Sequence, residues 1–171
     1  MSSGGFKIRE ARSADAGALA LIYNQGIDDR VATFETVKRT QEERKKWLAG
    51  HDRKHPVIVA YTGKEVIGWA SISLYSQREC YSGIGEFSVY VRRDRRGTGV
   101  GEKLLGSLIK RARKEGYWKL IGRVFIQNVA SRGLTERFGF REIGLLEKHA
   151  KLDGRWIDVV ELEKLINENI D

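Results

Sequence analysis

The segment of this chain best equipped for chemistry is Arg96-Gly97-Thr98-Gly99-Val100-Gly101. Its glycines let backbone N–H groups approach an anion with no Cβ in the way. Leu104, Leu105, Leu108, Ile109 and Ala112 then recur at helical spacing, so the glycines stand at a helix start. There, unpaired amides and about half a positive charge favour an anion. Arg92-Arg93-Asp94-Arg95-Arg96 adds cations just upstream. A diphosphate suits such a cradle. A P-loop would need Lys-Ser/Thr after its last glycine, but Glu102-Lys103 follow Gly101. The dinucleotide fingerprint fails because Glu102 takes its sixth position. His51, His55, His149 and Cys80 lack metal-ligand spacing, so no metal is expected.

The loop must be carried by a strand and a helix, and the flanking sequence supplies both. Gly85 to Val91 alternates, with Phe87, Val89 and Val91 on one face and Glu86, Ser88 and Tyr90 on the other. Upstream, Phe6 to Arg9 reads as a first strand, and Ser13 as the cap of a helix with Asp15 in its first turn. Thr40-Gln41-Glu42-Glu43 is a capping box opening a second helix. Segment 27–39 has no clear period and is expected as a loop or irregular helix. Strands 57–61 and 66–72 join through Thr62-Gly63-Lys64-Glu65. Beyond the loop helix, Lys119 to Phe125 is a strand, and Val129 to Phe138 a helix stopped by Gly139. Strands at about 140–152 and 155–164 meet at Asp153-Gly154, a strong hairpin signal. The expected fold is α+β, an α/β sandwich with a mixed, mostly antiparallel sheet of six to seven strands and four helices. Trp69 and Trp156 are expected to pack the sheet.

The 171 residues suffice for a single domain over 1–171, with residues 1–5 expected to be flexible. The opening residues lack the apolar segment of a signal peptide, and no run of 18 apolar residues exists. Cys80 is the only cysteine, which excludes an internal disulfide and fits a reducing, cytoplasmic setting. It is expected to be a small buried apolar residue. The excess of 31 Lys and Arg over 23 Asp and Glu suits a polyanionic partner, either nucleic acid or a phosphorylated small molecule. Lys110-Arg111 and Arg113-Lys114 read as solvated helix surface, so neither nucleic acid nor membrane is the expected partner.

Arg96, Gly99 and Gly101 fit the Arg-x-x-Gly-x-Gly pattern, which resembles the acyl-CoA pyrophosphate motif of GNAT acetyltransferases. Asn128-Val129-Ala130-Ser131, followed by Leu134 to Phe140, is similar to that family's second motif at the expected distance. The resemblance spans about residues 6 to 165. It implies acetyl-CoA as co-substrate, held by Arg96, Gly97, Thr98, Gly99, Val100 and Gly101. It also implies that backbone groups of Val89 and Val91 pair with the pantetheine arm as an added strand, and that Asn128 binds the arm further along. Asn128 suits a helix cap as well. A homodimer is implied by the resemblance alone.

Ile22-Tyr23-Asn24-Gln25-Gly26-Ile27, Ala32-Thr33-Phe34-Glu35, Ser76 to Tyr81, Glu86 to Val91 and Gly154 to Val159 occur in order. This series resembles phosphinothricin-type acetyltransferases, including the arsinothricin branch, which acetylate the α-amino group of glutamate-like antimetabolites. Some members take methionine sulfoximine or sulfone. Glu86 matches that subgroup's catalytic glutamate, a general base acting directly or through water. An amino-acid substrate needs a cation for its acid groups, and Arg78 offers a bidentate guanidinium. Tyr81 offers a hydroxyl and Phe34 an apolar wall. Thr135 departs from the pattern: many GNAT enzymes carry Tyr there to protonate the leaving thiolate, and the phosphinothricin branch often His. Threonine is too weak an acid for that, which leaves the acid to Tyr90, to water or to no group. The alternatives are acetylation of another amine (a protein N-terminus, a polyamine or an aminoglycoside) and a CoA-binding module without catalysis.

Overall fold

The computed structural model describes residues 5–171, so the flexibility expected of residues 1–5 falls, for 1–4, outside the described residues. In chain order the elements are β1 (Lys7–Glu10), α1 (Ala16–Asp29), α2 (Gln41–Ala49), β2 (Val57–Thr62), β3 (Glu65–Leu74), β4 (Ile84–Val91), α3 (Val100–Lys114), β5 (Lys119–Phe125), α4 (Val129–Arg137), β6 (Arg141–Leu152) and β7 (Arg155–Leu165). The strands form one seven-stranded sheet in the order β1-β2-β3-β4-β5-β7-β6. Every neighbouring pair is antiparallel except β4 and β5. This is the α+β architecture expected.

Local chemistry explains most of the boundaries. The Glu43 amide donates to Thr40 Oγ1 at 3.1 Å and the Thr40 amide donates to Glu43 Oε2 at 2.6 Å, closing the capping box of α2. Asp153 and Gly154 both hold positive φ, 49° and 77°, as a tight hairpin between twisted strands requires. Two expectations shift. Helix α1 does not stop before residue 27 but runs to Asp29, where Arg30 turns left-handed and its Nη1 donates to the Ile27 carbonyl at 3.0 Å. Ile27 in that last turn is buried, but the exposed Asp28 and half-buried Asp29 after it end the apolar periodicity before the helix ends. Ser13 lies in a short 3₁₀ turn, and Asp15 does the capping.

Asp15 accepts from the Arg12 amide at 2.7 Å and from both Arg9 guanidinium ends at 2.8 and 3.0 Å. Burial works to raise this carboxyl, but the bonds from Arg9 and Arg12 outweigh it and hold it below the usual range. Asp15→Asn is expected to cost about 1.5–3 kcal/mol in urea unfolding near pH 7. A carboxylate held low in the folded state stabilises fully above its unfolded value of about 3.9. That contribution fades as pH falls through the lower folded value, so the gap between variant and wild type should narrow in acid.

Two layers cover the sheet. On one face Leu104, Leu105 and Leu108 of α3 meet Ile58, Ala60, Ala70, Ile72, Leu120 and Leu162, with Phe87, Val89, Val91 and Leu134 packed at the margin. On the other, Leu19, Ile22 and Ile27 of α1 meet Val57, Val59, Val66 and Trp69. Arg44 of α2 is buried there, its guanidinium 4.1 Å from the Tyr23 ring centre. Trp69 is buried as expected, but Trp156 is not a sheet-packing residue. It is 55% exposed beside the Lys151 ammonium, because Ile157 and Val159 take the inward positions of β7 and no element covers the other side of the hairpin end. Cys80 also departs from expectation: it is exposed in the connection between β3 and β4, which lies over no core.

Candidate active site

The site grows from a fault in the sheet. Strands β4 and β5 pair through Ile84–Lys119, Gly85–Leu120 and Glu86–Ile121 and then stop. Beyond that row β4 continues to Val91 paired only with β3, while β5 continues to Phe125 paired only with β7. The strands part where Phe87 seats its ring over Gly122, so close that a Cβ there would lie 2.4 Å from a ring carbon. Residues 87–91 therefore present a free backbone edge toward the gap, a ready template for another extended chain.

The gap opens into a cleft of about 450 Å³. Of the residues expected to hold a cofactor, Val89, Val91, Arg96, Gly97, Gly99, Gly101 and Asn128 line it. Thr98 and Val100 do not. The Thr98 hydroxyl donates to the Arg95 carbonyl at 2.5 Å and closes the turn, and Val100 buries its side chain in the α3 core. Gly97 and Gly99 hold φ of 72° and 87°, conformations that L side chains avoid, and an added Cβ at either would meet nothing within 4 Å. The positions are thus glycine for the backbone's sake, and both line the cleft. Arg96 donates Nε to the Val91 carbonyl at 3.3 Å, which fixes it at the strand end.

Neighbours not foreseen complete the cleft. Asp29, at the end of α1, pairs with Arg93 at 2.7 Å and Arg96 at 2.5 Å. Burial tends to raise its carboxyl, but the two arginines outweigh that and hold it low. Val31 and Ala32 roof the gap, and Leu134 of α4 forms a wall. Asn128 Oδ1 accepts from the Ser131 amide at 3.2 Å, capping α4, while its Nδ2 donates to the Val31 carbonyl at 3.2 Å. Asn24 secures the far end of the same segment, exchanging bonds with the Arg39 backbone at 2.9 and 2.8 Å. Arg96 and Asp29 stand 67 residues apart, and no local pattern announces such a pair.

Glu86 is half-buried on the last paired row, between Ser73 of β3 and Ile121 of β5. It faces away from Phe87 and Val89, on the side shared with Ser88. The connection bearing Arg78 and Tyr81 leaves β3 at Leu74, one residue beyond the row of Glu86. Both side chains are exposed, and Tyr81 meets Tyr75 edge-on at 5.8 Å. Neither lines the cleft, and neither does Phe34, which packs on Phe125 at 4.7 Å beside the sheet. Tyr90 is a poor acid: it stacks on Trp69 at 4.9 Å, and burial pushes its phenol far above the ordinary tyrosine range. Thr135 is buried, its hydroxyl turned back to the Ser131 and Arg132 carbonyls at 3.0 Å each.

The family profile of the acetyltransferase (GNAT) domain matches residues 8–160. The chain belongs to the GNAT acetyltransferase family. Among its relatives, an L-methionine sulfoximine/L-methionine sulfone acetyltransferase of Pseudomonas paraeruginosa is 35% identical over 154 residues, 89% of this chain and 90% of the relative. A phosphinothricin N-acetyltransferase of Streptomyces coelicolor is 30% identical over 162 residues, 92% and 95% of the two chains. The structure of yncA from Salmonella typhimurium with its cofactor acetyl-CoA superposes with a TM-score of 0.92 at 28% identity, covering 97% and 96%. Within this GNAT fold much of the basic surface is already matched by carboxylates. Arg111 pairs with Glu115 at 3.0 Å, Arg113 with Glu168 at 3.0 Å and Arg132 with Glu142 at 2.7 Å. No helix among the described residues is long and apolar enough to cross a membrane.

Proposed function

We propose that this GNAT acetyltransferase uses acetyl-CoA to acetylate the α-amino group of a glutamate-like amino-acid antimetabolite, of the phosphinothricin, arsinothricin or methionine sulfoximine class. The observation that supports this reading most is the free β4 edge running to the glycine loop along one cleft, with Glu86, which does not line that cleft, on the last paired row where β4 and β5 separate. The relatives named for phosphinothricin and methionine sulfoximine support the substrate class.

Acetyl-CoA supplies the acyl group as a thioester. The amides after Arg96, with the start of α3, hold its diphosphate, and the backbone of Val89 and Val91 pairs with its arm. The Val89 N–H donates to the carbonyl oxygen as charge develops there. Glu86 takes the proton of the substrate ammonium, directly or through one water. The amine nitrogen then bonds to the acyl carbon as the C–S bond breaks, and gives up its second proton to solvent. The thiolate is a tolerable leaving group that takes a proton from solvent, so neither Thr135 nor Tyr90 is needed as an acid.

Arg78 binds an acid group of the substrate, to which Tyr81 offers a hydroxyl and Phe34 an apolar wall. Arg78→Ala is expected to raise KM for the amino acid about tenfold or more with acetyl-CoA binding unchanged, as loss of a charge-assisted hydrogen bond predicts. The decisive experiment is a thiol-release assay on phosphinothricin, methionine sulfoximine, a polyamine and a peptide with a free N-terminus. Turnover confined to the peptide or the polyamine would overturn the substrate class.

A further inference from the structure

Phosphinothricin and arsinothricin, within the class just proposed, carry two acid groups around one amine, and a single arginine in the 75–83 connection answers only one of them. The sheet offers a second cation that the sequence does not single out. Side chains alternate along a strand, and Glu86 is in register with Ile121, so Arg123 falls on the same face of the sheet as Glu86 and Ser88. It stands across the gap from Ser88, and both line the narrow floor of about 90 Å³ where β4 and β5 diverge, together with Val89 and Asn128. Helix α1 packs over β3 and β4 on this side, and Arg123 beyond it keeps a side chain 47% exposed.

The guanidinium is aimed but not used up. Its Nε lies 3.4 Å from Glu161 Oε2 on β7, a long contact to the residue directly in register with it. No other hydrogen bond to its side chain occurs among the described residues, so both terminal nitrogens remain available as a planar fork. Lys119, four residues earlier on the same strand and face, differs: its ammonium is 2.9 Å from buried Glu163, which Arg141 also holds at 2.6 Å. Of these two cations on β5, Arg123 is the one free to take an anion from outside.

We propose that Arg123 binds the α-carboxylate of the substrate bidentately, leaving the distal acid to Arg78. This rests on the proposed acetylation of a glutamate-like amino acid. The assignment of the two acids follows from rigidity. The α-carboxylate is separated from the reacting nitrogen by one carbon, so the group that holds it sets where the amine sits relative to Glu86. A strand residue braced from the next strand holds that position better than a loop residue. The distal acid lies at the end of a flexible chain and suits the exposed connection carrying Arg78. A fork that matches a carboxylate also explains why arginine, rather than lysine, serves there.

The test compares phosphinothricin with its α-carboxamide on wild type, Arg123→Gln, Arg123→Lys and Arg78→Ala. In wild type the carboxamide should lose about 10- to 100-fold in kcat/KM, the scale of one charge-assisted pair. Arg123→Gln should erase that preference, Arg123→Lys should restore part of it, and Arg78→Ala should retain it in full. Acetyl-CoA affinity by calorimetry and the thermal midpoint should stay at wild-type values in all three variants, which separates loss of recognition from loss of fold. Full preference for the α-carboxylate in Arg123→Gln would overturn the assignment while leaving the substrate class intact. Absence of wild-type turnover on both phosphinothricin and methionine sulfoximine would instead remove the parent reading and this one with it.

Discussion

Glu86→Gln is expected to lower kcat by about 10²–10⁴-fold, the scale of one positioned proton acceptor, while acetyl-CoA binds as it does to wild type. Glutamine keeps the size and one acceptor of glutamate but cannot take a proton. Its neighbours, Ser73 and Ile121, place no cation beside it that would be stranded by the change, and β4 pairs through its backbone there. The loss should thus appear in turnover rather than in folding or donor affinity. Raising pH supplies more free amine and should recover part of the rate, because the substituted enzyme then receives its substrate already deprotonated. Stopped-flow turnover with and without the substitution, alongside calorimetry with acetyl-CoA, separates these effects. Equal turnover in the two proteins would remove Glu86 from the mechanism.

Gly99→Val should produce the second large effect, on binding instead of chemistry. Gly99 holds φ 87° and ψ 0° at the start of α3, and its carbonyl accepts from the Lys103 amide at 3.1 Å to begin that helix. A β-branched residue in this conformation costs about 1–3 kcal/mol. The chain can shed that strain only by turning the peptide, which moves the amides that face the cleft. Affinity for acetyl-CoA is expected to fall about 10- to 100-fold, the equivalent of that cost. The thermal midpoint without ligand should drop only modestly, since the side chain would point into open space. Wild-type affinity in the variant would mean that the loop amides do not hold the diphosphate.

The parts of the fold that could be read from the chain are those set by near neighbours. Thr40 and Glu43 write their own capping box, Asp153-Gly154 its own hairpin, and the alternation of Gly85 to Val91 separates Glu86 from Phe87 without any knowledge of the sheet. The place of the glycine loop at the start of α3 is legible for the same reason, since it is set by the backbone at consecutive positions. The misread residues depend on what lies over them. Cys80 and Trp156 are apolar by type, but hydropathy cannot tell whether a covering element exists, and among the described residues both are left exposed. Asp29 escaped notice because its partners Arg93 and Arg96 come from a different element far along the chain. Arg123 escaped notice because its place beside Ser88 depends on the register of β4 with β5, which only the assembled sheet reveals.

The three-row contact between β4 and β5 also divides the sheet into two leaves, four strands on one side and three on the other. Their shared seam has the fewest paired rows among the described strands, and α3 packs against β4 from behind. A guest chain lying along the bare β4 margin fills the opening that the seam leaves. By mass action, any guest that prefers the assembled state adds to its stability. With the donor lying there, as proposed, the leaves would be held together more firmly than after it departs.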